Sequence, residues 1–445
     1  MPMPIRTAST PAPPSLSLGV RYAGFYFFLV FAVWPLTVTI FPVGSLPSRF
    51  PLLVGVVMIA VAIKEGRKMR EMRTPAQLFL TFCFFFVASS IYGPRPPGLV
   101  EGIIGLLRSV GLGVALLLTI RSVAELQFFL KIFVWYGVAS TCYGLLFMVP
   151  GLTNVGAALL SIGLPMGRDA SAMRMTGLLT DPTYFGLSIM PSFLINLHGV
   201  LGSITKKVKQ PLDWRSVVMT VLLILGLLLS FSRTTWLGAL TGVLILTGLQ
   251  AQIVRTLFAF LIIALFLQLA APEELLEAAF SANADRTTLE INERNDSRSG
   301  IWKAYLELAV DSPWGYGLDS IEYLRQLPTT FSGSWANENP RPHNIYLFIW
   351  VESGLQTLLP FLALLGLSFV RAWKIRHYVD PISGRAYGIL AMALLASMTF
   401  GLFGLGGMLQ LLFIVIALGL SIGFLGREKK LLPAHQLPVR PRGGR

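Results

Sequence analysis

The sequence predicts an all-α polytopic membrane protein of about twelve transmembrane helices, with one large, partly helical loop on the outer side. Three observations predict it. The chain has 445 residues, of which 54% are hydrophobic and 13% charged, with a mean hydropathy of +0.67, the composition of a membrane protein. Its apolar residues fall into runs near the roughly 20 residues that a helix needs to cross hydrocarbon. Its basic residues gather in alternate connections between those runs.

The runs lie near 22–44, 51–63, 75–92, 100–120, 126–149, 176–197, 216–231, 234–252, 256–271, 343–370, 386–403 and 408–426. The second is short for a span and reads as a re-entrant segment unless Leu46 and Pro47 extend it. The organisation that follows is an N-terminal tail (1–21), nine spans (22–271), an outer loop (272–342), three spans (343–426) and a basic tail (427–445). The first run is too long for a signal-peptide core and no small-residue cleavage site follows it, so it is expected to be retained.

A net charge of +14 invites a nucleic-acid reading, but its placement excludes one. With the N-terminus inside, the connections at 64–74, 198–215 and 371–385 and the tail from 427 hold nineteen Lys and Arg. The short outer connections hold only Arg49, Arg95, Arg168 and Arg174. This asymmetry is the positive-inside rule, and it puts both termini in the cytoplasm. Cys83 and Cys142 fall inside spans and are expected to be buried thiols rather than a disulfide or metal pair.

The connection at 272–342 is unlike the others. Its 71 residues carry twelve Asp and Glu against six Lys and Arg, and a connection of that length is usually functional. PEELLEAAF at 272–280 opens with Pro and acids, as a helix N-terminus does. SRSGIWKAYLELAV at 297–310 has apolar residues at 301, 305, 308 and 309, a helical stripe that Pro313 ends, with Trp302 and Tyr305 able to seat it on the membrane. The tip, rich in Gly, Asn, Pro and aromatics, reads as a lid or an acceptor surface.

Candidate chemistry collects at the outer face. Arg233 lies in LLLSFSRTTWLGAL, between two apolar runs so close that a tight turn must join them. It either snorkels to headgroups or meets an anion. Arg298 opens the loop helix, Arg341 stands two residues before His343, and Arg174 precedes the sixth span. Asp181, about two turns into that span, is expected either to cap or pair in the bundle or to serve the site. Guanidinium forks bind phosphate oxygens in pairs and stay charged, so such a set suits a diphosphate. No Asp-x-Asp pair or metal-ligand spacing occurs outside the membrane, so no metal or other cofactor is expected. His343 is expected in the first turn of a helix of more than twenty residues, where the dipole favours its neutral, proton-accepting form. It would there either cap the helix or take a proton from a hydroxyl. Glu352, nine residues on, is expected to pair inside the bundle.

FSRTTW at 231–236, SRSGIW at 297–302 with DSPWGYG at 311–317, and PHNIYLFIWVESGL at 342–355 together resemble the O-antigen ligase and O-antigen polymerase superfamily. RMTGLLTDPTYFG at 174–186 is similar to the segment before the middle span of those proteins. The resemblance covers about 170–370; elsewhere it is one of topology. It implies a metal-independent, inverting glycosyltransferase of the bacterial inner membrane that moves a glycan from undecaprenyl diphosphate to an acceptor sugar at the periplasmic face. His343 would activate the acceptor hydroxyl, and Arg233 and Arg298 would hold the diphosphate. Arg174, Arg341, Asp181, Asn344 and Trp302 join the implied substrate-binding set. Partners would be the lipid-linked donor, an acceptor glycolipid (a second lipid-linked repeat unit or lipid A core), membrane lipids and the proteins of polysaccharide assembly. The acidic loop fits a phosphorylated core poorly, which favours polymerase over ligase. A lipid-linked-sugar flippase is the rival of another class, yet transporters show internal repeats and midplane charges that are not seen here. A scaffold role would leave the arginines and the histidine unexplained.

Overall fold

The structure, a computed structural model, describes residues 16–28, 57, 60, 63–64, 73–93, 96–148, 152–161, 167–169, 174–179, 181–205, 213–248, 302–318, 320, 344–378, 384–401 and 409–427. Among them the chain is almost wholly helical. In order come α1 (Leu18–Phe28), α2 (Arg73–Ala88), α3 (Leu99–Thr119), α4 (Val123–Met148) and α5 (Thr153–Ser161). A two-residue hairpin, β1 (Arg168–Asp169) with β2 (Arg174–Met175), precedes α6 (Pro182–Thr205), α7 (Trp214–Leu229) and α8 (Arg233–Gly248). There follow α9 (302–311), α10 (Ile345–Ser353), α11 (Leu355–Tyr378), α12 (Gly384–Gly401) and α13 (Leu409–Arg427).

Three stretches are long and apolar enough to cross a membrane by length and composition: Val123–Met148, Pro182–Gly202 and Leu355–Ile375. Six shorter apolar helices, in α2, α3, α7, α8, α12 and α13, accompany them. These helices stand where expected, so the chain is an all-α membrane protein. The expected span at 256–271, all of the one at 51–63 but 57, 60 and 63, most of the one at 22–44, and the helix at 272–280 lie outside the described residues.

Packing follows the apolar faces. Phe82 of α2, Phe361 of α11 and Phe413 of α13 form a buried ring cluster with centroids 5.0–6.1 Å apart. Small residues bring helix backbones close, as membrane bundles require. A Cβ on Gly113 of α3 would lie 2.7 Å from Phe413 O, and one on Gly137 of α4 would lie 2.5 Å from Ser192 Cβ of α6.

Three expectations need correction. The run at 343–370 is not one helix: α10 ends after nine residues and Gly354, at φ +78°, turns the chain into α11. α10 folds back on α11, with the Tyr346 ring 6.1 Å from Phe361. The sixth span begins at Pro182 rather than 176, because 174–179 form a strand and turn. Cys142 is exposed and Cys83 half-buried, since their positions on α4 and α2 turn partly out of the bundle.

Candidate active site

Arg174 is placed by small contacts. β2 pairs Arg174 with Asp169 and Met175 with Arg168, while Thr176 and Gly177 donate their N–H groups to Gly167 O at 3.0 and 3.1 Å. Met175, fully buried, fills the space over Gly144 of α4, and Leu178 N donates to Ser140 Oγ of the same helix at 3.1 Å. The strand is thereby fixed on α4. From it the half-buried Arg174 donates through Nε to Ser230 O at 3.1 Å and through Nη2 to Phe231 O at 3.4 Å.

Those two carbonyls belong to the turn between α7 and α8. A helix C-terminus leaves carbonyls unpaired at the negative end of its dipole, and a guanidinium answers both needs. The turn has further ties. Ser230 Oγ and Trp236 Nε1 both donate to Leu227 O at 2.7 Å, and Thr235 Oγ1 donates to Ser232 Oγ at 2.8 Å. Phe231, at φ +46°, is the one described residue other than glycine in the left-handed region, a conformation held by its surroundings. Arg233 follows two residues later as the first residue of α8. The expected tight turn is therefore present, and it is strained and stapled.

Asp181 is a cap. Its Oδ1 accepts from Thr183 N at 2.6 Å and Tyr184 N at 3.0 Å, closing the N-terminus of α6. Asn344 does the same for α10, accepting from Tyr346 N at 3.0 Å and Leu347 N at 3.3 Å while buried. With Asn344 as the N-cap, α10 starts at Ile345, so in the sequence His343 precedes the cap rather than falling in the first turn. His343 itself, Arg298 and Arg341 lie outside the described residues, as does the side chain of Arg233.

The elements that adjoin these positions in the sequence, α8, α9 and α10, converge at one end of the bundle. Gly238 of α8 packs on Ser397 O of α12, where a Cβ would come to 2.7 Å, and Tyr346 of α10 donates its hydroxyl to Thr399 O of α12 at 3.3 Å. The turn before α8 and the start of α10 thus share the last turns of one helix. α9 joins them, because its buried face of Tyr305, Leu308 and Ala309 packs on Val351, Leu347, Phe348 and Trp350 of α10. The expected stripe is present, and the helix ends at 311, ahead of Pro313. Trp302, the first described residue of α9, keeps 39% exposure. Glu352, 3% exposed, is buried in the last turn of α10, as expected of a group held within the bundle.

The DSPWGYG segment is the contact that sequence reading missed. Tyr316 N donates to Val351 O at 2.7 Å, Gly317 N to Glu352 O at 2.9 Å and Leu318 N to Ser89 O at 2.8 Å, while Leu355 N donates to Pro313 O at 2.9 Å. The segment runs as a strap between α10 and the turn after α2. Burial, and next the Asp311 carboxylate, raise the Tyr316 phenol above its ordinary value, so it is neutral at physiological pH. The signal was the pair of glycines at 315 and 317 beside a third at 354.

A helical membrane bundle with a stapled arginine turn and a motif-bearing segment strapped across one end is the class defined here. The resemblance read from the motifs holds: residues 218–362 match the family model described as O-antigen ligase, about a third of the chain. That stretch includes FSRTTW, SRSGIW, DSPWGYG and PHNIYLFIWVESGL in full, whereas Arg174 and Asp181 precede it. No curated protein matches the chain.

Proposed function

We propose that this protein is a glycosyltransferase of the O-antigen ligase and polymerase kind, acting at the periplasmic face of a bacterial inner membrane in cell-surface polysaccharide synthesis. The observation that carries the reading is the O-antigen ligase match over 218–362, which contains Arg233, Arg298, Arg341 and His343 together. The donor is a glycan on undecaprenyl diphosphate. Arg233 and Arg298 bind its diphosphate and stabilise the charge that develops as the bond to the anomeric carbon breaks, work that positioned guanidinium groups do without a metal. His343 takes the proton of the acceptor hydroxyl as that oxygen attacks, which inverts the anomeric centre. Arg174 supports Arg233 by holding the turn on which it stands. The acidity of the 272–342 loop favours a second lipid-linked repeat unit over a phosphorylated lipid A core, hence polymerase over ligase.

The test is transfer by the purified protein, wild type beside His343→Ala, from an undecaprenyl-diphosphate oligosaccharide with and without lipid A core. A product ladder from donor alone, absent in the variant, is expected. Product only with lipid A core would make the protein a ligase. No product from a validated native donor in any lane would refute the transferase reading.

A further inference from the structure

We propose that Gln356, with Tyr92, is a positioning residue: together they lock the strap at 311–318 to the start of α11, in a fixed joint that sets how α9 and α10 face each other. The proposal rests on the transferase reading above.

Gln356 stands in the first turn of α11, two residues after the Gly354 bend. Its Nε2 donates to Trp314 O and to Ser353 O, both at 2.7 Å, and lies 3.3 Å from the Tyr92 hydroxyl. Tyr92 in turn donates to Trp314 O at 2.8 Å, across a sequence separation of 222 residues. One carbonyl of the strap is thus gripped from α11 and from the turn after α2. Beneath it, Ser89 Oγ and Ser353 Oγ lie 3.0 Å apart, both buried. Gly93 and Gly317, at φ +108° and +96°, press backbone against backbone: a Cβ on either would strike the carbonyl oxygen of Tyr316 or Tyr92 respectively. No side chain fits between them, so the strap has one seat.

The joint bears on chemistry through what it terminates. The strap is the C-terminal continuation of α9, and four residues before α9 stands Arg298. The bend ends α10, and directly before its cap stands His343. Both helices are short, and they pack on each other through the Tyr305 and Val351 cluster. A rotation at their shared end is therefore carried to their starts. Misplacement of catalytic groups by about 1 Å can cost about 100-fold in rate. Tyr92, Ser89 and Gly93 lie outside the matched segment 218–362, so the joint ties that segment to the rest of the bundle.

The experiment uses the full-length protein with Cys83→Ala and Cys142→Ala, in which Ser89→Cys and Ser353→Cys form a cross-link across the joint. The serine oxygens lie 3.0 Å apart, so sulfurs in their places need to approach by only about 1 Å to reach the S–S length of about 2.05 Å. Two readouts are taken: hydrogen exchange of the Tyr316, Gly317 and Leu318 amides, which does not depend on activity, and transfer from the lipid-linked donor. Gln356→Ala is expected to speed that exchange by at least about tenfold and to lower turnover by at least about tenfold with donor KM within about twofold. Oxidising the cysteine pair in the same variant is expected to restore both. A Gln356→Ala protein with fast exchange and wild-type turnover would overturn the proposal, as would one whose exchange the cross-link restores but whose turnover it does not. Loss of turnover on oxidising the pair in the Gln356 parent would also overturn it, because the joint would then have to move during reaction. If that parent transfers nothing from any validated donor, the transferase reading fails and the role given to the joint fails with it, while the exchange result still reports whether the joint exists.

Discussion

At the scale of single residues, the α7 to α8 turn concentrates cost and restraint. A side chain in the left-handed region costs about 1–2 kcal/mol, and Phe231 bears that cost two residues before Arg233. Arg174 offsets it with two charge-assisted bonds to carbonyls that a helix end leaves unpaired. Arg174→Ala is expected to lower stability by about 1.5–3 kcal/mol, the range for bonds to charged groups, and to reduce transfer as the turn loosens. Arg174→Lys keeps the charge and one bond, and should recover part of both. Thermal unfolding in detergent beside the transfer assay checks this. An unchanged melting temperature with only a raised donor KM would mean that Arg174 serves the donor and not the turn. Asp181 and Asn344 carry a related lesson: both spend side-chain oxygens on helix caps, an alternative that the sequence leaves open for Asp181.

At the scale of elements, glycines mark where the fold has no freedom. Gly354 combines φ +78° with a contact that would drive a Cβ into Trp314 O, so Gly354→Ala meets both backbone strain and a clash at the bend. It is expected to cost at least about 1–3 kcal/mol. Gly366, in the middle of α11 with nothing within 4 Å of a built Cβ, should instead gain about 0.5–1 kcal/mol as Ala, because the helix backbone loses less entropy. Paired melting curves of the two variants check this, and equal effects would mean that the bend is not a fixed element. This contrast also shows what the sequence could reveal. α9 was legible because its apolar positions repeat at helical spacing and Pro313 stops it. The turn before Arg233 was legible because two apolar runs leave no room for anything longer. The break at Gly354 was not, since it interrupts an apolar run that stays hydrophobic on both sides. Nor was the strap, whose partners at 89–93 lie more than 200 residues away and leave no local trace beyond the glycines themselves.

For the whole molecule, the arrangement of charge makes a claim about sidedness that contacts within the bundle can sharpen. The turn before α8, the caps of α6 and α10, and the strap gather at one end, and the positive-inside rule assigns the basic connections of the sequence to the other. Two exposed tryptophans report on these ends. Trp314, on the strap, is 71% exposed, and Trp214, at the first position of α7 beside the basic connection at 198–215, is 67% exposed. Neither donates a bond through its indole to a described residue, so each tolerates a probe cysteine in a chain lacking Cys83 and Cys142. With the basic connections inside, a membrane-impermeant maleimide should label Trp314→Cys in intact spheroplasts and Trp214→Cys only after the membrane is opened. The reverse pattern would invert the topology and put the arginine turn on the cytoplasmic side, where a periplasmic transferase has no use for it. Labelling of both in intact spheroplasts would mean that α7 does not separate its ends across the bilayer, and the positive-inside argument would then fail at the helix that leads into Arg233.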